Sequence, residues 1–317
     1  MEKEKTSNQD SKKKNFPPVY VIADLKSSNK QRCHFSSLFV QLIFLFIASL
    51  TTVLSSKLPF SAETVSFSYL SFIVLSMIFM LYSAFFTPEK KWYQSRALAE
   101  SVNTLTWRFI MRAEPFHIDK EAEFHFRRGL HEIWDNNKMC DGRIDKSLEE
   151  TSQITEWMKN VRESSFEEKK CRYCNERIQD QLSWYQQKTE FNKKRAVLFS
   201  VLSCVTYITA LAVACFQCNN PKFDYPWLSE SFLMAAAGLV GWTQAKRYSE
   251  LASSYGLTFQ DISDIKEEVG KITEEQFGDF VNDAETAFSR EHTQWAARQI
   301  KITAEQIDPA AEPALKK

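Results

Sequence analysis

Glycine and proline are scarce, with seven and nine among 317 residues. β-rich folds spend many of both on turns, so long helices with few breaks are the expected architecture. A net charge is missing too, because 40 basic residues face 40 acidic ones. That balance argues against a dedicated nucleic-acid binder, which carries a basic excess. No disulfide framework is visible either. The seven cysteines (Cys33, Cys140, Cys171, Cys174, Cys204, Cys215 and Cys218) are odd in number and scattered, unlike the paired pattern of secreted scaffolds. The first apolar run starts near residue 35 and exceeds a signal-peptide core in length, so no cleavable signal is expected.

Catalytic signatures are also missing. There is no glycine-rich phosphate loop, no nucleophile elbow and no paired carboxylates on an obvious scaffold. His117, His125 and His131 have no regular ligand spacing. Two Cys-x-x-Cys pairs, Cys171–Cys174 and Cys215–Cys218, fall at opposite ends of an apolar run. About 30 Å of bilayer then separates them, too far for one zinc ion in one subunit. The expectation is therefore no enzyme, no catalytic residue, no metal and no cofactor.

What is abundant is apolar sequence in two blocks, near 35–86 and 196–243. Ser36–Ser56 contains no charged residue, and its length of about 20 residues matches a hydrocarbon core of roughly 30 Å. Thr64–Phe86 is a second such run after the short link KLPFSAE. Residues 196–216 and about 226–243 repeat the plan, the last weakened by Glu230. The expected fold is an all-α integral membrane protein built on two transmembrane hairpins, four spans in all, with long cytoplasmic helical extensions. Basic residues flank the outer ends of both hairpins: Lys26, Lys30 and Arg32, then Lys90, Lys91 and Arg96, then Lys193, Lys194 and Arg195, then Lys246 and Arg247. The positive-inside rule puts both termini and the middle region in the cytoplasm.

The remainder divides by composition. Residues 1–16 and 304–317 are polar and aperiodic and read as disordered tails. Between them, 17–151 and 152–303 each hold one hairpin. Ile154 to Lys194 has helical spacing and reads as one long helix leading into the third span. Phe259, Ile262, Ile265, Val269 and Ile272 form an amphipathic stripe after the fourth span, one that needs a partner surface.

One pattern occurs twice. Trp92, Arg96 and Glu100 follow the second span, and Trp242, Lys246 and Glu250 follow the fourth at a constant offset of 150. Spacing of four and four puts each set on one helix face, with the tryptophan at the membrane interface. Thr87 and Pro88 read as N-cap and first residue of the first copy's helix. The second copy lacks the proline, so its helix is expected to leave the membrane unbroken. An anchored, solvated helix face that positions or gates the spans is preferred here over a catalytic acid with a basic partner.

These residues carry a resemblance. WYQSRALAES and TWRFIMRAEPF after a hairpin, with VYVIADLKSSNKQ before it, resemble the third type of the SMODS- and SLOG-associating two-transmembrane effector (SLATT) domain. YCNERIQDQLSWYQQKTEFNKKR is similar to the lead-in of the first type, through Arg177, Asp180, Gln181, Trp184 and Tyr185. The resemblance implies a tandem effector of the bacterial inner membrane that oligomerises into a pore when phage infection is sensed. It also implies partners encoded nearby, either a nucleotidyltransferase or a nucleotide sensor. The lipid bilayer and further copies of the chain are the other expected partners. A pore needs polar atoms at membrane depth, and Ser37, Gln41, Thr52, Ser203 and Thr206 are the candidates. Ala237 and Gly241 offer a small-residue seam for helix packing. The competing expectation is a non-conducting scaffold that recruits a cytoplasmic protein.

Overall fold

The computed structural model describes residues 15–54, 61–137, 151–220 and 226–289, with backbone only at 52–54, 137, 226 and 227. All the elements among these residues are helices. They are α1 (Pro18–Leu54), α2 (Ala62–Phe86), α3 (Pro88–Ile110), α4 (Asp119–Asn137), α5 (Glu156–Glu163) and α6 (Phe166–Arg172). A π-helical turn (Tyr173–Ile178) leads into α7 (Gln179–Asn219), followed by α8 (Pro226–Lys246), α9 (Tyr248–Val269) and α10 (274–289). The expected C-terminal tail at 304–317 lies outside the described residues, as do residues 1–14 of the N-terminal tail and Cys140.

Three helical stretches are long and apolar enough to cross a membrane: Pro18–Thr51, Ala62–Phe86 and Phe166–Asn219. The fourth expected span forms a helix, α8, but is not among the three. Glu230 and a run of alanines and glycines dilute its three leucines and single phenylalanine. Phe67, Phe85, Val197, Ile208 and Leu211 are more than half exposed, as side chains facing lipid acyl chains should be.

Most breaks have a local chemical cause. Ser61 caps α2, its hydroxyl accepting from the Thr64 amide at 3.3 Å. Thr87 is not an N-cap. It adopts the left-handed region (φ 42°) as C-cap of α2, its amide donating to Ser83 O, and Pro88 then opens α3. The long helix expected from Ile154 is interrupted by Ser164 and Ser165. Thr155 caps the short α5, and Ser165 with Glu168 forms a capping box that restarts the chain at Phe166. From there the helix is continuous through the π turn to Asn219. The exit after α8 is not continuous: Arg247 sits at φ 52°, its amide donating to Thr243 O at 2.8 Å, and α9 starts afresh at Tyr248. The tail stripe is also broken, between Val269 and residue 274.

The chain separates into two compact units, each assembled from both halves of the sequence. The first comprises Met1–Lys30, Lys90–Ser183 and Gln260–Lys317, and the second Gln31–Glu89 and Trp184–Phe259. In the first unit Leu98, Phe109, Ile110, Phe116, Phe126, Met158 and Ile262 are almost fully buried. Ring pairs Phe109–Phe126 (4.8 Å) and Trp107–Tyr173 (5.7 Å) join its helices. Asn15 and Phe16, expected to be disordered, belong to this core. Phe16 packs on Tyr20, Trp107 and Trp157, and Asn15 O accepts from the Thr155 hydroxyl at 2.7 Å.

In the second unit the α1–α2 hairpin is closed by Ser37, which donates to Phe79 O (3.2 Å) and meets Ser83 Oγ at 3.1 Å. Ser76 donates to Gln41 O at 3.3 Å, and Phe44 packs on Phe72 and Phe79. Trp242 of α8 lies edge-on to Phe35 and Phe39 of α1. The small buried side chains of α8 are Ser231 and Ala236. Ala237 is exposed, and a Cβ at Gly241 would meet no atom within 4 Å.

Candidate functional site: a buried ion pair on the π turn

Among the described residues, the first unit contains a fully buried acid whose carboxylate oxygens meet only polar partners. Glu285 is 0% exposed, on α10. Arg177 grips it bidentately, Nε to Oε1 at 2.8 Å and Nη2 to Oε2 at 2.7 Å. The Tyr173 hydroxyl donates to Oε1 at 3.1 Å and the Thr104 hydroxyl of α3 to Oε2 at 3.0 Å. Four charge-assisted hydrogen bonds thus fill the carboxylate. Beside them Arg108 donates to Thr286 Oγ1 (2.8 Å) and Asn282 O (3.3 Å), a second tie between α3 and α10.

The backbone explains how Tyr173 and Arg177 reach one carboxylate. Both lie on the six-residue π turn, and the Gln179 amide reaches back five residues to Cys174 O. A π turn holds one more residue than an α turn, and such bulges recur at functional positions. Residues 173 and 177 are four apart on this turn and both buried, with Ile178 buried beside them. Phe277 packs on Phe166 and Tyr173, and Lys170 donates to Ile272 O at 2.9 Å, so the turn before α10 is held by the same helix.

Electrostatics follow from burial. Burial and then the neighbouring Glu285 raise the Tyr173 hydroxyl well above its usual range, so it stays a donor. Burial alone lowers the Arg177 guanidinium, but Glu285 outweighs it and the group stays charged. This arrangement can hold and transmit; with every carboxylate oxygen occupied it offers no acceptor to a substrate.

The residues singled out from sequence are distributed as follows. Arg177 is in the buried pair. Asp180 and Gln181 follow on α7 within the first unit, and Trp184 and Tyr185 fall in the second, packed on Tyr255 at 5.4 and 5.7 Å. Trp92, Arg96 and Glu100 share α3. Arg96 pairs with Glu100 at 2.6 Å and lies 3.9 Å from Asp24. Trp242 and Lys246 share α8, whose Lys246 Nζ sits 3.2 Å from the Phe35 ring centroid. Glu250 is on α9, across the left-handed Arg247, and pairs with that residue. The two triplets are therefore not equivalent: the first lies wholly after its helix break, the second straddles it. Ser37 is spent in the hairpin contact. Ser203 donates to Phe199 O and Thr206 to Leu202 O and Ser203 O, so both hydroxyls are satisfied within α7. Gln41 is half-buried, and the Thr52 side chain is outside the described residues. Among the described residues no cluster of His, Cys, Asp and Glu could hold a metal ion.

Sequence reasoning missed Glu285. A signal existed: it lies among Val281, Ala284 and Phe288, all buried, so an acid occupies an apolar stripe.

Residues 17–170 match the SMODS and SLOG-associating 2TM effector domain 3, and residues 173–295 match the SMODS and SLOG-associating 2TM effector domain 1. No curated protein and no solved structure matches. The second match begins at Tyr173, where the π turn begins. The buried cluster thus joins Thr104 from the first domain to Tyr173, Arg177 and Glu285 from the second. The chain is a membrane protein of the SMODS- and SLOG-associating two-transmembrane effector family, a third-type domain followed by a first-type domain.

Proposed function

We propose that this chain assembles into an oligomer that opens a pore across a bacterial inner membrane, as the effector of nucleotide-signalled anti-phage defence. The observation that carries the reading is the continuity of Phe166–Asn219. One end of that helix holds the Arg177–Glu285 pair, and the other is an apolar span. A change at the cytoplasmic end therefore has a stiff covalent route to the membrane segment. In this reading α8 is the fourth span and both termini are cytoplasmic. Gln41, Thr52, Ser203 and Thr206 line the conducting state, and a nucleotidyltransferase or nucleotide sensor supplies the trigger. Four helices enclose no wide pore, so several copies are required. A recruiting scaffold is less well supported, because Ile262 and Val269 of the tail stripe are buried within the chain itself.

Dye release tests the reading. Purified protein in liposomes should release a trapped fluorophore with a steep dependence on protein density, and expression should depolarise cells. Intact liposomes at every density, with candidate nucleotides and infected-cell extract added, sink the proposal.

A further inference from the structure

A second polar cluster in the first unit has the opposite balance: cations outnumber carboxylates. It lies where the α3–α4 turn meets α5 and α6. Arg162 is buried and donates to Phe109 O (2.5 Å), Phe116 O (2.7 Å) and Asp119 Oδ1 (2.7 Å). Arg112 approaches the other oxygen of Asp119 at 3.4 Å, and Arg112 Nε is buried without a hydrogen-bond partner. Lys169 of α6 is only 8% exposed and lies within reach of the charges of Arg112, Arg162, Asp119 and Glu274. The mouth is open, since the side chains of Asp119 and Arg112 are 59% and 40% exposed.

The backbone explains why an arginine projects here. α3 ends in a Schellman motif, with the Ala113 amide on Arg108 O (3.0 Å) and the Arg112 amide on Phe109 O (3.3 Å). The left-handed position that glycine normally fills is Arg112, at φ 58°. Burying Lys169 beside two guanidiniums works against its charge. Burial, then Arg112 and Arg162, pull its ammonium below the usual lysine range, outweighing Asp119 and Glu274. A buried donor without an acceptor, in a net positive field open to solvent, is how an oxyanion site looks before binding.

We propose that Arg112 and Lys169, backed by Arg162, bind a phosphoryl-type oxyanion at the corner of α3, α4, α5 and α6, with Asp119 at its mouth. Arg112 supplies a planar donor fork and Lys169 a compact charge. Arg162 is held by two carbonyls and acts as a fixed positive wall. The site is separate from the Arg177–Glu285 pair and does not depend on pore formation. Two sources share the chemistry: a soluble phosphate compound and a phospholipid headgroup.

The test uses the full chain in neutral detergent, titrated with sodium pyrophosphate at matched ionic strength against sodium chloride, and reads the thermal midpoint. A saturable rise is expected. Lys169→Gln and Arg112→Gln should each raise the half-saturating concentration at least about tenfold, while Lys120→Gln should leave it unchanged. Lys169→Arg keeps the charge and should retain the response, which keeps the test readable if the glutamine variant folds poorly. A parallel arm compares nanodiscs of phosphatidylglycerol and phosphatidylcholine. A Lys169-dependent rise with pyrophosphate assigns the site to a soluble phosphate. A Lys169-dependent rise with phosphatidylglycerol alone assigns it to a headgroup. No rise in either arm, or one indifferent to both glutamine substitutions, overturns the proposal.

Discussion

Glu285 carries the largest single stake in the first unit. A buried charge stripped of its partner is costly, whereas a pair replaced by apolar side chains of similar size is often neutral. Glu285→Ala should therefore lower stability by about 3–5 kcal/mol, measured by denaturant unfolding in detergent. The double variant Arg177→Met with Glu285→Leu should lose much less than either single change. Lys246 offers a second residue-scale outcome. It lies against Phe35 and Trp242, and burial lowers it to about 8. The folded chain then holds fewer protons than the unfolded one between about 8 and the unperturbed value of about 10.4, so stability rises with pH across that window. Lys246→Met should flatten this part of the pH dependence of the thermal midpoint. The surface pair Arg96–Glu100, partly exposed on both sides, contributes at most about 1 kcal/mol.

Among elements, the breaks matter more than the helices. Among the described residues, three that are not glycine, Thr87, Arg112 and Arg247, occupy the left-handed region, each just after a long helix. Threonine is β-branched, so its presence there is strained. Thr87→Gly should leave the fold intact and stabilise it by up to about 1 kcal/mol, read as a raised thermal midpoint. The Ser165–Glu168 capping box starts the helix that bears the ion pair. Ser165→Ala should cost about 1 kcal/mol and speed proteolysis near residue 165. The apolar stretches of α1, α2 and α7 were legible in the sequence because apolar runs of that length have few other solutions. Of the later breaks, the one at Thr87 and Pro88 was legible too, and those at Ser164–Ser165 and Arg247 were not. Nothing local distinguishes Arg247 from a mid-helix arginine, and the left-handed turn there is settled by where α8 and α9 pack.

At the scale of the whole molecule, both sequence halves contribute to both compact units. Cutting the chain between 170 and 173, where the two family matches meet, should therefore fail to give two folded pieces. Separately expressed halves should be protease-sensitive in detergent, and co-expression should restore resistance. Topology has its own check through exposed thiols. Cys171 lies on α6, and Cys215 and Cys218 at the far end of α7. If α7 spans the membrane as proposed, an impermeant maleimide added to spheroplasts should label Cys215 and Cys218 and spare Cys171. The reverse pattern would invert the assigned orientation.

The sequence by itself determined the helical class, the apolar spans of α1, α2 and α7, and the family of each half. These follow from properties local in the chain: hydropathy over about 20 residues, scarce turn residues, and short motifs at fixed spacing. It also brought forward Arg177, as part of a motif, without its role. Tertiary structure alone decided that this arginine meets Glu285, 108 positions away, and that Thr104 and Tyr173 complete the carboxylate. It alone decided that the two Trp-basic-Glu triplets differ, and that Phe16 belongs to a core. A buried charge is tolerated only where its partners converge, and convergence is a property of packing between segments distant in sequence. No local pattern encodes it.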